Sequence, residues 1–249
     1  MALGQEDSEE KFTQFSSQLQ KAWAQSDSAG AVKALDGMIE LRPEIPRLYY
    51  LRGVANFEVS NFRQSVADFD QLIKLEPRRS DELWERGISC YFAGDYEAGA
   101  KQFLDYQNYH DQDVENSVWR YLCLAKSKGV ATARETLLPI ERDSRPGLME
   151  VLELYRGKLT PQQTLEKMQQ TELNGEAEAG YRFYTLLYVG LYYLAQDDKA
   201  KAADYLAQAG DKKLLETGSS RISEYMWNTA RIAHAEVTKQ AAPAKPAAK

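Results

Sequence analysis

The sequence predicts an all-α protein built from repeated pairs of antiparallel helices. Small residues recur 34 positions apart, as at Gly53 and Gly87. Large aromatic residues recur at the same distance, as at Phe69 and Phe103. Within each unit the apolar residues follow the spacing of a helix on either side of one polar break. A unit of this size cannot bury its apolar face alone, so the units are expected to stack.

Each unit is predicted to contain a first helix, a polar break and a second helix. In the second unit the first helix covers residues 49–57, and the break lies at Ser60 and Asn61. The second helix of this unit carries apolar residues from Phe62 onward. Pro77 ends the unit, because proline cannot occupy the interior of a helix without breaking it.

Small residues at matching places in the units predict a close crossing of the two helices. They lie where a large side chain would keep the backbones apart. The positions concerned are Ala31, Gly53, Ser65, Gly87 and Gly99. The aromatic residues Phe69 and Phe103 are expected to wedge between one hairpin and the next.

These patterns divide the chain into consecutive segments. The repeats are predicted near residues 12–45, 46–79, 80–113 and 183–216, with a degenerate stretch at 114–180 and a capping helix at 220–238. Residues 1–10 are expected to be a flexible N-terminus. Residues 239–249, a low-complexity stretch rich in Ala, Pro and Lys, are expected to be a disordered tail.

The pattern resembles the tetratricopeptide-repeat (TPR) family, whose 34-residue unit carries a Gly, a Tyr, a Phe and a terminal Pro at these offsets. The resemblance is most specific over residues 46–111 and extends to 12–45, where Leu19 replaces the first-helix glycine. It implies a right-handed superhelix of about five antiparallel helix hairpins plus a C-terminal capping helix. It also implies a protein-binding groove on the concave side.

The order of parts is similar to a narrower group, the lipoprotein-NlpI-like TPR proteins. The similarity is carried by residues 119–122, the turn at 154–160, and the 183–209 unit with its capping helix. It implies an adaptor that presents partners to proteases or wall enzymes in the cell envelope. The lipid-attachment cysteine of the best-known member has no counterpart near the N-terminus here.

Composition excludes several other classes of function. The formal net charge is −6 and there is no long basic tract, so a nucleic-acid partner is not expected. No stretch reaches the ~20 apolar residues that span a bilayer. Cys90 and Cys123 lie in apolar helical patterns and are expected to be buried thiols. Location stays open: cytoplasmic if Met1 is the native start, exported or periplasmic if a leader was removed.

The resemblance to TPR proteins places the partner-binding groove on the first helices of the units. The groove positions of the second and third units are held by Tyr50, Val54, Phe57, Trp84, Ile88 and Tyr91. The TPR clamp for a terminal carboxylate needs Lys and Asn at such positions, so that ligand is disfavoured. An aromatic groove for an apolar helix or an extended peptide is predicted instead. The alternative is that these rings pack between hairpins as core.

Several arginines lie near the same positions. A cationic edge to the groove is one interpretation of them, and solvated surface ion pairs are the favoured one. The residues concerned are Arg47, Arg52, Arg78, Arg79 and Arg86.

No catalytic residue, metal ligand or cofactor site is predicted. His110 and His234 are the only histidines, and neither belongs to a zinc or nucleophile motif. The predicted function is a non-enzymatic scaffold that holds a partner protein along the first three repeats. One alternative is self-association, with residues 181–193 or the last helix in a dimer interface. Another is a hydrolase hidden in residues 112–180, around His110 or clustered carboxylates.

Overall fold

The structure, a computed structural model, describes residues 2–241. These residues form helices, turns and irregular segments, and they contain no β-strand. They fall into two compact units, Met1–Tyr109 and His110–Lys249. The predicted all-α class is therefore confirmed for the described chain. Met1 and most of the predicted tail, residues 242–249, lie outside the described residues.

The first unit consists of three helix hairpins in sequence order. The helices are α1 (Ala2–Ala24), α2 (Ser28–Leu41), α3 (Pro46–Glu58), α4 (Phe62–Leu75), α5 (Trp84–Ala93) and α6 (Tyr96–Asp105). Each odd-numbered helix packs on the helix that follows it, and α2 packs on α3 as α4 does on α5. The first three repeats thus form a TPR-like helical array.

The ends of two elements differ from the sequence-based boundaries. Helix α1 begins at Ala2, so the segment expected to be a flexible N-terminus is helical. Ion pairs extend the helix into this segment: Lys11 pairs with Asp7 within α1, and Arg42 at the end of α2 pairs with Glu9. A 3-10 turn, Pro77–Glu82, precedes α5 and delays the start of the third unit's first helix to Trp84.

The two helices of a hairpin cross where a glycine faces an aromatic ring. Gly53 lies against Phe69, and Gly87 lies against Phe103, in each case 16 residues later in the same hairpin. A Cβ on Gly53 would lie 3.1 Å from the nearest ring atom, and one on Gly87 only 2.6 Å. The expectation that Phe69 and Phe103 chiefly wedge between hairpins was wrong in this respect: their rings fill the crossing inside their own hairpin.

The second unit is arranged around one long central helix. Its helices are α7 (Val114–Lys128), α8 (Val130–Glu135), α9 (Leu148–Tyr155), α10 (Pro161–Gln170), α11 (Gly175–Ala195), α12 (Lys199–Ala209), α13 (Lys212–Thr217) and α14 (Glu224–Ala241). Helix α11 contacts α7, α9, α10, α12 and α13, and α14 packs on α12. Cys90 in the first unit and Cys123 in α7 are buried free thiols, as predicted.

The middle of the chain departs from a plain hairpin repeat. Helix α8 is short, and residues 136–147 form an irregular connection before α9. Helix α9 packs on both α7 and α11. Helix α10 begins as the sequence indicates, with Thr160 as the N-cap of a capping box and Pro161 in the first turn.

The glycine crossing predicts a graded response to added methyl groups. Gly87→Ala should lower the free energy of unfolding by about 1–2 kcal/mol, because the clash with Phe103 exceeds the gain in helix propensity of about 1 kcal/mol. Gly53→Ala should cost less, since the ring of Phe69 stands farther away. Urea unfolding of both variants measures the difference, and a Phe103→Leu background should reduce the cost of Gly87→Ala. An unchanged cost in that background would contradict the steric explanation.

Candidate functional site

Three of the six residues predicted to line a groove are core residues. Phe57 and Ile88 are fully buried, and Tyr91 is 6% exposed. The ring of Phe57 packs against Phe62 of its own hairpin and against Phe92 of the next, with ring centroids 5.7 and 5.6 Å away. For these three positions the alternative interpretation, packing between helices and hairpins, describes what the structure contains.

The other three predicted residues, Tyr50, Val54 and Trp84, are half-buried. Tyr50 lies on α3, and its hydroxyl donates a hydrogen bond of 2.8 Å to Glu85 Oε1 on α5. The guanidinium of Arg47 stands 5.0 Å from the centre of the Tyr50 ring, and that of Arg79 stands 5.6 Å away. Arg47, Tyr50, Arg79 and Glu85 are called the Tyr50 cluster below.

The hydrogen bond in the Tyr50 cluster has a fixed direction. Burial, and then the neighbouring Glu85 carboxylate, raise the pKa of Tyr50, so the phenol keeps its proton and donates. Burial likewise raises the pKa of Glu85, while the bond from Tyr50 lowers it. The ring is therefore held in one orientation between two guanidinium groups, with part of its surface open to a partner.

Two of the arginines considered for a cationic edge hold the hairpins together instead. Arg52 on α3 pairs with Asp36 of the preceding hairpin at 2.7 Å and with Asp68 of its own hairpin at 2.6 Å. Arg86, 34 residues later, repeats this arrangement. It pairs with Asp70 of the preceding hairpin at 2.7 Å and bonds to Gln102 of its own hairpin at 3.2 Å.

The sequence carries a signal for this network that the repeat analysis did not use. Each of its three positions recurs after 34 residues: Arg52 with Arg86, Asp36 with Asp70, and Asp68 with Gln102. Of the remaining arginines, Arg79 pairs with Glu82. Arg47 and Arg78 are exposed and form no ion pair with any residue in the described part of the chain. Arg47 is thus the unpaired charge beside the Tyr50 ring.

The second unit contains a largely buried charge cluster. Arg145 donates to Asp113 at 2.7 Å, to Asp143 at 2.6 Å and, over a shorter contact, to Glu115. Glu115 also accepts a hydrogen bond from the Tyr188 hydroxyl at 2.5 Å. Asp113, Glu115, Asp143, Arg145 and Tyr188 are called the Glu115 cluster below. Burial raises the pKa of Glu115 to about 7, and Arg145 opposes this shift.

The Glu115 cluster is the kind of feature that the hydrolase alternative requires, but its arrangement is closed. A general acid or base must reach a substrate, and both oxygens of Glu115 are engaged by Arg145 and Tyr188. His110 is half-exposed, with its Nδ1 3.9 Å from an Asp113 oxygen. Within residues 2–241 no group of three or more His, Cys, Asp or Glu side chains is placed to hold a metal ion. The cluster links segments of the unit rather than forming an open pocket.

The stretch proposed for a dimer interface is largely interior. Residues 181–191 of α11 are buried, apart from the exposed Arg182. Tyr188 is fully buried and accepts, through its carbonyl, a 2.9 Å hydrogen bond from the Tyr155 hydroxyl. The concentration of Tyr, Phe and Leu in this helix therefore builds the core of the second unit.

A cleft of about 380 Å³ opens beside the first turn of α11. Its lining includes Glu178, Arg182, Lys213 and Leu214. The three charged side chains are all exposed to solvent, so the cleft has no preorganised, desolvated polar group with which to select a ligand.

No known protein-family profile matches the chain. Among solved structures, the chain is similar to MamA 41-end from Desulfovibrio magneticus RS-1. The match covers 86% of this chain and 98% of that chain, with 14% sequence identity and a TM-score of 0.49. At this level the comparison does not identify a function. In the region from Ala2 to Ala241, no helix is both long enough and apolar enough to cross a membrane.

The periodic arginines predict unequal effects of the same substitution. Arg52→Met should lower the free energy of unfolding by about 2–4 kcal/mol, because it leaves Asp68, only 5% exposed, without its counter-ion. Arg86→Met is the matched control and should cost about 1 kcal/mol or less, since its partner Asp70 is 41% exposed and can be hydrated. Chemical denaturation at one pH measures both variants. Equal losses would contradict the role given to the burial of Asp68.

Proposed function

We propose that the chain is a non-enzymatic scaffold that binds a segment of a partner protein on the first-helix face of the N-terminal unit. The observation that carries this proposal is the Tyr50 cluster. A partly open aromatic ring, held by Glu85 and flanked by Arg47 and Arg79, lies on a stacked helix array. Aromatic and Arg side chains in fixed positions are the usual anchors of protein interfaces.

The chemistry of this face indicates what kind of segment it would take. Tyr50, Val54 and Trp84 keep part of their apolar surface exposed, which suits an apolar side chain of the partner. Arg47 has no ion pair among the described residues and offers a charge-assisted hydrogen bond to a carboxylate. The proposed ligand is an extended or helical peptide. Phe57, Ile88 and Tyr91 support this face from within the core.

The narrower role implied by the NlpI-like resemblance, an adaptor between partners and envelope enzymes, belongs to the same proposal. It is supported by the sequence segments that carry the resemblance, and it requires the partner-binding face described above. A hydrolase is not proposed, because the Glu115 cluster is closed.

Self-association is a second candidate function, favoured by one observation. Large apolar side chains remain open to solvent in the N-terminal unit: Trp23 is 46% exposed, Leu104 48% and Tyr109 63%. Exposed residues of this kind are a common component of subunit interfaces. Sedimentation at several concentrations tests the idea, and a strictly monomeric species at high concentration would end it.

Partner capture is expected to depend on the open rings and not on exposed aromatic area in general. Tyr50→Ala and Trp84→Ala should each weaken binding of a purified partner by about thirtyfold or more, the effect of losing an interface anchor worth about 2 kcal/mol. Pull-down from the native source supplies the partner, and titration calorimetry gives its affinity. Tyr109→Ala is the control, since that ring is more exposed but lies outside this face.

Circular dichroism separates loss of binding from loss of folding. The helical content of Tyr50→Ala and Trp84→Ala should equal that of the wild type, because both side chains are only half-buried. Wild-type affinity in both variants would exclude this face as the binding surface. Loss of helical content would show that the two rings are core residues.

A further inference from the structure

Residues 136–147, called the strap below, run in irregular conformation between α8 and α9. Side chains of neighbouring segments hold its backbone. The amide of Leu138 donates to Ser117 Oγ at 3.2 Å, and the amide of Glu141 donates to Gln112 Oε1 at 2.9 Å. An irregular segment of this length inside a compact unit is more often functional than incidental.

The C-terminal half of the strap is attached by charge. Arg145 reaches three carboxylates, two of which, Asp113 and Glu115, stand at the start of α7. Asp143, the strap's own carboxylate, accepts hydrogen bonds from the Arg145 amide at 3.0 Å and from the Val114 amide at 3.3 Å. This end of the strap is therefore fixed to the first turn of α7 by polar groups.

Glu115 stands between the strap and the central helix. One of its oxygens receives Arg145 from the strap, and the other receives the Tyr188 hydroxyl from α11, 73 residues away in sequence. The ring of Tyr184 stacks on Tyr188 at 6.5 Å. Its hydroxyl accepts a hydrogen bond of 3.5 Å from the amide of Ser223, just before α14. One carboxyl group thus connects three segments.

The charges that face Glu115 do not balance when it is ionised. The titratable groups around it are Asp113 and, beyond it, His110 on its own segment, Asp143 and Arg145 on the strap, and Tyr184 and Tyr188 on α11. Three carboxylates then share one guanidinium where little water enters. The Glu115 side chain is only 15% exposed. Protonation of Glu115 relieves this excess of negative charge.

We propose that the strap is a pH-responsive element, held against α7 and α11 below neutral pH and loosened as Glu115 ionises. With the strap closed, burial raises the pKa of Glu115 to about 7 from an ordinary value of 4.5. With the strap open the carboxyl group is hydrated and returns towards the ordinary value. The closed form therefore binds more protons between these two values, so its advantage is complete at low pH and is lost as pH rises through neutrality.

Hydrogen exchange of the full chain at pH 5.5 and pH 8 tests the proposal. Protection factors, which are corrected for intrinsic exchange rates, should fall about tenfold to thirtyfold in residues 141–147 and in the first turn of α7. Amides of α3 and α4 serve as an internal reference and should change little. Unchanged protection of the strap in the wild type would overturn the proposal.

Two variants identify the titrating group. Glu115→Gln removes the titration and should make strap protection nearly independent of pH. His110→Gln is the matched control, because His110 titrates in a similar range beside Asp113, and it should keep the wild-type response. A response that survives in Glu115→Gln and disappears in His110→Gln would overturn the assignment.

A third variant keeps the test decisive if Glu115→Gln does not fold. The Tyr188 hydroxyl stabilises ionised Glu115, so Tyr188→Phe should move the midpoint of the protection change to higher pH. A purely structural role for this hydroxyl would lower protection equally at both pH values, without moving the midpoint. No shift in the midpoint would contradict the proposal.

Discussion

The close crossing of two helices inside each hairpin is the constraint on which the N-terminal unit depends. At Gly87 the ring of Phe103 occupies the space that a Cβ would fill, and Gly53 and Phe69 repeat the contact. Because backbone and ring meet directly, the distance between the helices is set by glycine and not by the larger side chains around it. The same separation of 16 residues brings Arg52 to Asp68. Crossing and ion pair are therefore two results of one hairpin geometry.

Arginine–carboxylate contacts have different consequences in the two units, and the ratio of charges accounts for the difference. Arg52 joins two hairpins through Asp36, which is 49% exposed, and Asp68, which is buried and also bonds to Asn56 at 3.0 Å. Water and the amide share the load there, so the network is a stable joint. In the Glu115 cluster one guanidinium serves three carboxylates with little water, which makes one of them a proton acceptor near neutral pH. Similar side chains can thus build a permanent contact or a titratable one.

Sequence reasoning located the candidate face only in part, and particular residues show why. Tyr50 and Phe57 lie at groove positions by the same rule, yet Tyr50 stays half-open and Phe57 is fully buried. The difference comes from Phe92, a residue of the next hairpin whose ring covers Phe57. A helical spacing rule gives the direction of a side chain from its own helix. It does not include the neighbour that arrives from 35 residues later in the chain.

By itself the sequence determined the all-helical class, the 34-residue repeat and the three N-terminal hairpins, because helix periodicity, glycine spacing and proline stops act over a few tens of residues. Only the tertiary structure decided which rings are open, that Arg52 and Arg86 are joints between hairpins, and that Glu115 is enclosed. Those properties depend on contacts between distant segments, such as Tyr188 with Glu115, and on the exclusion of water that these contacts produce. Desolvation is a property of the packed unit, so no local pattern of residues encodes it.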